Sequence, residues 1–301
     1  MKNQHFLAYL GIVSCFLLGY LLLTSGSTLQ PLAAFFTPEG LTVVHQVPLP
    51  ASVSFAGENT SLGNPDVRES IDYELTAIAY RHAYTSAILK NANRFFPTIE
   101  AILRKNGVPD DFKYVAISES GLENTVSPKQ ARGVWQFMEG TAREYGLEVS
   151  DDVDERYNLE KATEAACKYF NNAYKRFNNW TLAAASYNCG MGSMQESVTQ
   201  QQAWDYHSMA FNLETGRYMY KTMAYKVLMS NPAAYGFNLS PNDLYAPWAS
   251  KTVSVTSIPD IATFARENNT TYRKIKLLNP WLRKHYLSAK PGKTYEVKVP
   301  L

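Results

Sequence analysis

The chain has 301 residues, enough for one sizeable core and a smaller module. Its net charge of +2 gives no electrostatic case for binding nucleic acid or for a polybasic membrane patch. His5, His45, His82, His207 and His285 are scattered without metal-ligand spacing, and no serine-nucleophile elbow is present, so neither a metal nor another cofactor is expected.

Residues 1–30 open with Lys2 and then run apolar and uncharged from Phe6 to Leu23, close to the length of a membrane-spanning helix. The basic start predicts export of everything that follows. An uncleaved anchor is the first reading, a cleaved signal the second. A lipoprotein box at Ile12-Val13-Ser14-Cys15 is the third, because the apolar run continues past Cys15. Residues 31–68 carry Pro31, Pro38, Pro48, Pro50 and Pro65 with no persistent period, which reads as an extended linker, part of it possible to lay on the domain.

From Arg68 the pattern is helical. One long helix is expected from Ile71 to Leu89 and another from Phe95 to Asn106, with Pro97 in its first turn and Gly107 as its stop. Asp110 is a candidate N-cap for a short helix over 111–119. That helix carries one carboxylate, Glu119, in an otherwise uncharged run from Val115 to Gly121. A carboxylate at a helix C-terminus gains nothing from the dipole, and burial would raise its pKa toward that of a general acid. An ordinary surface glutamate is the competing reading of this helix taken alone.

Gly133-Val134-Trp135-Gln136-Phe137-Met138 is too apolar for a free loop. Asp154-Glu155-Arg156 is a charged loop in which Arg156 is expected to tie loops together. Leu159 to Phe177 is the clearest amphipathic helix, with Ala162, Ala166, Tyr169, Phe170 and Ala173 on one face. Thr181 to Tyr187 is small and apolar and reads as a buried helix, ended by Tyr187, Asn188 and Gly190. Glu214 to Met229 is a further helix, with Glu214 and Tyr218 one turn apart. Cys167 and Cys189 read as free, buried thiols. Residues 246–301 change character: strand, helix, helix, strand, with alternation at Lys251–Val255 and Tyr295–Val299.

Four segments together carry a resemblance: Glu119-Ser120-Gly121, Gly133-Val134-Trp135-Gln136, Tyr187-Asn188 followed by Gly190 and Gly192, and Glu214-Thr215-Gly216-Arg217-Tyr218. In this order and spacing they resemble the lytic transglycosylases with a soluble-lytic-transglycosylase (SLT) catalytic domain, of the membrane-bound murein transglycosylase D type. The resemblance covers roughly residues 75–235, and Gln130, Val134 and Glu139 depart from the family pattern. It implies a mainly α fold: a lysozyme-like (goose-type/SLT) helical catalytic domain over 69–245 and a small βααβ LysM-like module over 246–301. A plain structural cap is the alternative for the module.

The resemblance further implies cleavage of the MurNAc-GlcNAc β-1,4 bond of peptidoglycan with 1,6-anhydromuramic ends. Glu119 would be general acid and base. Ser120, Gln136, Tyr187, Asn188 and Tyr218 would bind substrate, with Tyr187 donating to Glu119 or lining its pocket. No second carboxylate is then expected opposite Glu119, because the substrate's N-acetyl group takes that place. The site would face the periplasm, with the chain held by residues 6–23. A hydrolytic muramidase of goose-lysozyme type and an inactive peptidoglycan-binding scaffold are the alternatives.

Overall fold

The computed structural model describes residues 46–301. The apolar run Phe6–Leu23 and the first part of the proline-rich stretch, through residue 45, lie outside the described residues, as does Cys15. Among the described residues no helix is long and apolar enough to cross a membrane.

The last part of the stretch read as linker is folded. Strands Val53–Phe55 (β1) and Glu58–Thr60 (β2) form a hairpin turned by Ala56 and Gly57, both at positive φ. Phe55 is fully buried and packs on Phe112 at 5.1 Å between ring centroids. The Ala56 amide donates to Asp111 Oδ2 at 2.7 Å, and Lys226 Nζ donates to the same oxygen at 2.7 Å. Three-residue strands show too few alternations to be read as a period, which is why the sequence pattern concealed them.

Helices Pro65–Ala79 (α1) and His82–Lys105 (α2) follow, with a break at Tyr80 and Arg81 where one continuous helix was expected. The Thr85 hydroxyl closes the break by donating to the Ile78 carbonyl at 2.7 Å. Pro97 lies inside α2 instead of at its start. A proline there forfeits a helical hydrogen bond, but Ala92, Ile99 and Leu103 are buried on either side of it and hold the helix through.

A 3-10 turn, Asp110–Phe112, leads into helix Lys113–Ser120 (α3). Helices Glu139–Glu144 (α4), Leu159–Phe177 (α5), Trp180–Cys189 (α6), Met191–Gln201 (α7) and Leu213–Ser230 (α8) complete the larger part. Asn158 and Asn179 cap α5 and α6 through their side-chain oxygens. Thr181 to Ser186 of α6 are all buried, because their small side chains let α5, α7 and α8 approach closely. Helix α8 packs against both α1 and α3. Cys167 and Cys189 are free thiols, but only Cys167 is buried; Cys189, at the C-terminal end of α6, is half-buried.

The C-terminal module has strands Ser250–Val255 (β3) and Tyr295–Pro300 (β4), paired antiparallel, with helices Ile261–Glu267 (α9) and Tyr272–Leu278 (α10) between them. Buried Asn279 is its latch: Nδ2 donates to the Lys298 carbonyl at 2.7 Å and Oδ1 accepts from the Lys298 amide at 2.8 Å. The module's apolar core includes Ile261, Ile275, Leu282 and Val297, and it also takes in Val153 and Tyr157 from the larger part.

Candidate active site

Glu119 is the penultimate residue of α3. Gly121 ends the helix at φ 64°, with its amide on the Ile117 carbonyl at 2.8 Å. A side chain at 121 would be strained by that φ and would have to displace the Tyr84 hydroxyl, whose oxygen lies 2.5 Å from where a Cβ would be.

One face of α8 supplies the partners. Tyr218 donates its hydroxyl to Glu119 Oε1 at 2.5 Å. Lys221 Nζ donates to the Ser118 carbonyl at 2.8 Å, and the Thr222 and Ser118 hydroxyls lie 2.8 Å apart. Positions 218, 221 and 222 are one helical turn, so a single packed helix presents all three to the end of α3. Glu119 is largely enclosed by protein yet keeps an opening to solvent. Burial pushes its pKa up to about 7; the Tyr218 hydrogen bond and the Lys221 charge pull down, while the Glu214 charge pushes up.

The second wall is the loop that carries the Gly133–Gln136 motif. Arg132 and Phe137 exchange both backbone hydrogen bonds at 3.1 Å, closing a tight reversal. Gly133 sits at φ 80°, and a Cβ there would overlap the Arg156 carbonyl oxygen, so only glycine fits. The buried Trp135 donates Nε1 to Thr163 Oγ1 at 2.9 Å. Gln136, at φ 48°, donates Nε2 to the Gly133 carbonyl at 2.7 Å and to Thr125, which leaves Oε1 for a ligand.

Helix α6 brings the third wall. Tyr187 donates its hydroxyl to the Trp135 carbonyl at 2.8 Å, and its ring packs among Phe137, Tyr169 and Phe170 at 5.0–5.8 Å. Asn188 accepts from the Thr215 hydroxyl at 2.9 Å and reaches Glu214 at 3.4 Å.

An open groove of about 810 Å³ results. Of the residues proposed from sequence, Glu119, Gln136, Tyr187, Asn188 and Tyr218 all line it. Ser120 is a correction. It is buried, and its hydroxyl is committed to the Val134 carbonyl at 2.7 Å, so it fastens the loop to α3 and does not face the groove. The hydroxyl that reaches Glu119 also differs from the first one expected: it belongs to Tyr218, because Tyr187 is spent on Trp135.

The sequence reading missed Lys221, Ser118, Glu74 and Arg217, which line the same groove. Lys221 sits one turn after Tyr218, and that spacing was the available signal. Glu74 had none: a glutamate on an amphipathic helix reads as solvated, yet it is buried and bound to Arg217 Nε at 2.5 Å. Glu119 is not the sole carboxylate among the residues that line the groove. Glu74 and Glu214 also line the groove, but Glu74 is held in an ion pair and Glu214 is exposed.

Residues 96–209 match the Transglycosylase SLT domain, and residues 251–301 match the soluble lytic transglycosylase C-terminal LysM-like domain. The chain carries an SLT-family lytic transglycosylase domain and a LysM-like C-terminal module. Tyr218 and Lys221 of the SLT groove lie beyond the matched segment. The membrane-bound lytic murein transglycosylases D of Escherichia coli strains K12 and O6:H1 are each 27% identical over 245 residues, covering 78% of this chain and 53% of theirs. A putative tributyltin chloride resistance protein of an Alteromonas species is 26% identical over 99 residues, 32% of this chain and 48% of its own. The X-ray structure of an inactive mutant of lytic transglycosylase Slt from Pseudomonas aeruginosa is 20% identical over 50% of this chain and 26% of that one, with a TM-score of 0.39. The chain spans about half the length of the curated relatives it matches.

Proposed function

We propose that this protein cleaves the β-1,4 bond between MurNAc and GlcNAc in peptidoglycan, as a lytic transglycosylase of the membrane-bound D type, with Glu119 as general acid and base. The observation that carries the reading is the Glu119 carboxyl: enclosed, open to the groove, and pushed up to about 7 by burial. At that value an appreciable share is protonated near neutral pH, as proton donation to a glycosidic oxygen requires.

In this reading Glu119 gives its proton to the leaving oxygen as the C1–O bond breaks. The N-acetyl carbonyl oxygen of the same sugar closes on C1 and shares the positive charge. The carboxylate of Glu119 then takes the proton of the C6 hydroxyl, and O6 bonds to C1, releasing the acetamido oxygen and leaving a 1,6-anhydro end. Tyr218 orients Glu119 Oε1, and a hydrogen bond to the carboxylate eases the moment when it is charged. Gln136 Oε1 and Asn188 hold the sugar's polar groups, and Tyr187 supports the wall. Residues 6–23 would hold the enzyme at a membrane with its groove in the periplasm.

Mass analysis of the muropeptides released from purified sacculi tests this directly. Anhydro ends are the expected result. Reducing ends would give the muramidase reading, with Glu214 as the exposed carboxylate to examine first. No release at all would leave a peptidoglycan-binding scaffold.

A further inference from the structure

The module meets the helices through the Lys298–Glu160 ion pair and through Arg94, which donates to the Ala246 carbonyl at 3.1 Å. A further segment, residues 148–157, lies between the module and the groove's Gly133 loop and bonds to both. On its outer side this segment is bound to the module by backbone. The Asp154 amide donates to the Trp281 carbonyl at 2.9 Å, the Arg283 amide to the Asp152 carbonyl at 2.8 Å, and the Ser288 amide to Asp152 Oδ2 at 2.8 Å. Val153 and Tyr157 are buried in the module's core, with the Arg283 guanidinium 4.3 Å from the Tyr157 ring centroid. Glu148 takes Lys290 and Lys293, and the Tyr295 hydroxyl at 3.2 Å.

On its inner side the segment holds the Gly133 loop. Asp154 grips Arg156 in a two-pronged pair, 2.9 Å to Nε and 2.8 Å to Nη2, with both side chains almost fully buried. Arg156 Nη1 donates to the Gln130 and Phe137 carbonyls, each at 3.4 Å, and Arg132 reaches Asp154 at 3.4 Å. The Arg156 carbonyl is the atom against which Gly133 rests. The same Asp154 is thus tied to the module through its amide and to the loop through its carboxylate.

We infer that the C-terminal module is a working part of the active site: docked on residues 148–157, it fixes the Gly133–Phe137 loop and thereby Gln136, with Asp154 and Arg156 as positioning residues. The catalytic consequence rests on the function proposed above; the mechanical one does not. Undocking would strip the Asp154 amide and the Asp152 carbonyl of partners and expose Val153 and Tyr157, so the segment would loosen and the loop with it.

The test uses the full chain and two variants. Lys290→Glu/Lys293→Glu sets carboxylates against Glu148 from half-exposed module positions, where the module's own core is not involved. Arg156→Lys keeps the charge and loses the fork. Hydrogen exchange should be about tenfold faster at the Gly133, Gln136 and Phe137 amides in the charge-reversed protein, with α5 interior amides unchanged. Cleavage of soluble glycan strands should fall about tenfold in kcat/KM in the same protein. Arg156→Lys should reproduce both effects with the module still docked; if it fails to fold, the charge-reversed protein decides alone. Unchanged loop exchange in a charge-reversed protein whose module amides do exchange faster would overturn the inference. So would a loss confined to sacculi, since that is what a detached glycan-holding module would give. Faster loop exchange in a protein whose wild type releases no anhydro ends would sustain the mechanical link and remove the function proposed for the groove.

Discussion

At Glu119 two opposing influences set the chemistry, and their sizes can be separated by substitution. Burial raises the carboxyl, while the Tyr218 hydroxyl and the Lys221 ammonium lower it. Lys221 is itself held down by burial, so its charge is present at some cost and faces Glu119. Replacing it, Lys221→Met, removes an attraction for the charged form of Glu119, and the pKa of Glu119 should rise further. The first step needs the protonated acid, so the alkaline limb of the kcat/KM profile should move upward, by about half to one pH unit. A limb that moves down or stays in place would show that Lys221 does not act on Glu119. Ser120 belongs at the same scale with the opposite expectation. Ser120→Ala loses the hydrogen bond to the buried Val134 carbonyl. Urea unfolding should show a loss of about 1–2 kcal/mol, while KM for soluble strands stays within about twofold. A large rise in KM without loss of stability would restore Ser120 as a sugar ligand.

Among the elements, α6 is the one whose position depends on chain far away in sequence. Glu58 of the hairpin accepts from the Trp180 amide at 2.7 Å, the Thr181 amide at 2.8 Å and the Thr181 hydroxyl at 2.6 Å, so a carboxylate sits on the start of α6. Glu58→Ala should cost about 1.5–3 kcal/mol in denaturant unfolding, the range for losing hydrogen bonds to a charged group. A cost below about 0.5 kcal/mol would mean the hairpin merely lies on the surface. Long elements were legible in the sequence for a simple reason: α5 and α8 repeat a face over several turns, and the βααβ order of the module shows as two alternating strands around two short helices. The hairpin was not, because its strands are too short and its partners Asp111 and Lys226 are distant in sequence. Of Glu119, Gln136, Tyr187 and Asn188, only Glu119, a lone carboxylate in an uncharged run, stood out by residue type. The walls of the groove were legible through all four because the motifs that carry the family resemblance hold them. Which hydroxyl reaches the acid was not: Tyr187 and Tyr218 are the same residue type, and the Trp135 carbonyl that claims one of them leaves no trace in sequence. Ser120 was misread for the same reason, since adjacency to Glu119 along a helix turns its side chain about a third of a circle away.

For the molecule as a whole, the acid has a consequence for stability. Glu119 has a folded pKa of about 7 against an ordinary value of 4.5. Below 4.5 it is protonated in both the folded and unfolded chain and contributes no pH dependence. As pH rises from there to about 7 the unfolded chain loses this proton first, so the native state is progressively disfavoured, by up to about 3 kcal/mol above pH 7. Glu119→Gln carries no charge and should therefore be more thermostable than the wild type at pH 8 and closely similar to it at pH 4. Equal melting temperatures at pH 8 would argue that Glu119 is not desolvated in solution. The same variant gives the most direct test of the central claim, that Glu119 is the acid and base of peptidoglycan cleavage. Purified Glu119→Gln and wild-type protein are incubated with sacculi at neutral pH, and released anhydro-muropeptides are quantified beside sacculus binding. The account predicts at least a thousandfold loss of release, on the order of the larger acid–base effects, with binding retained, because the substitution removes the proton and little else. Release within about tenfold of the wild type, well short of an acid–base contribution, would contradict it.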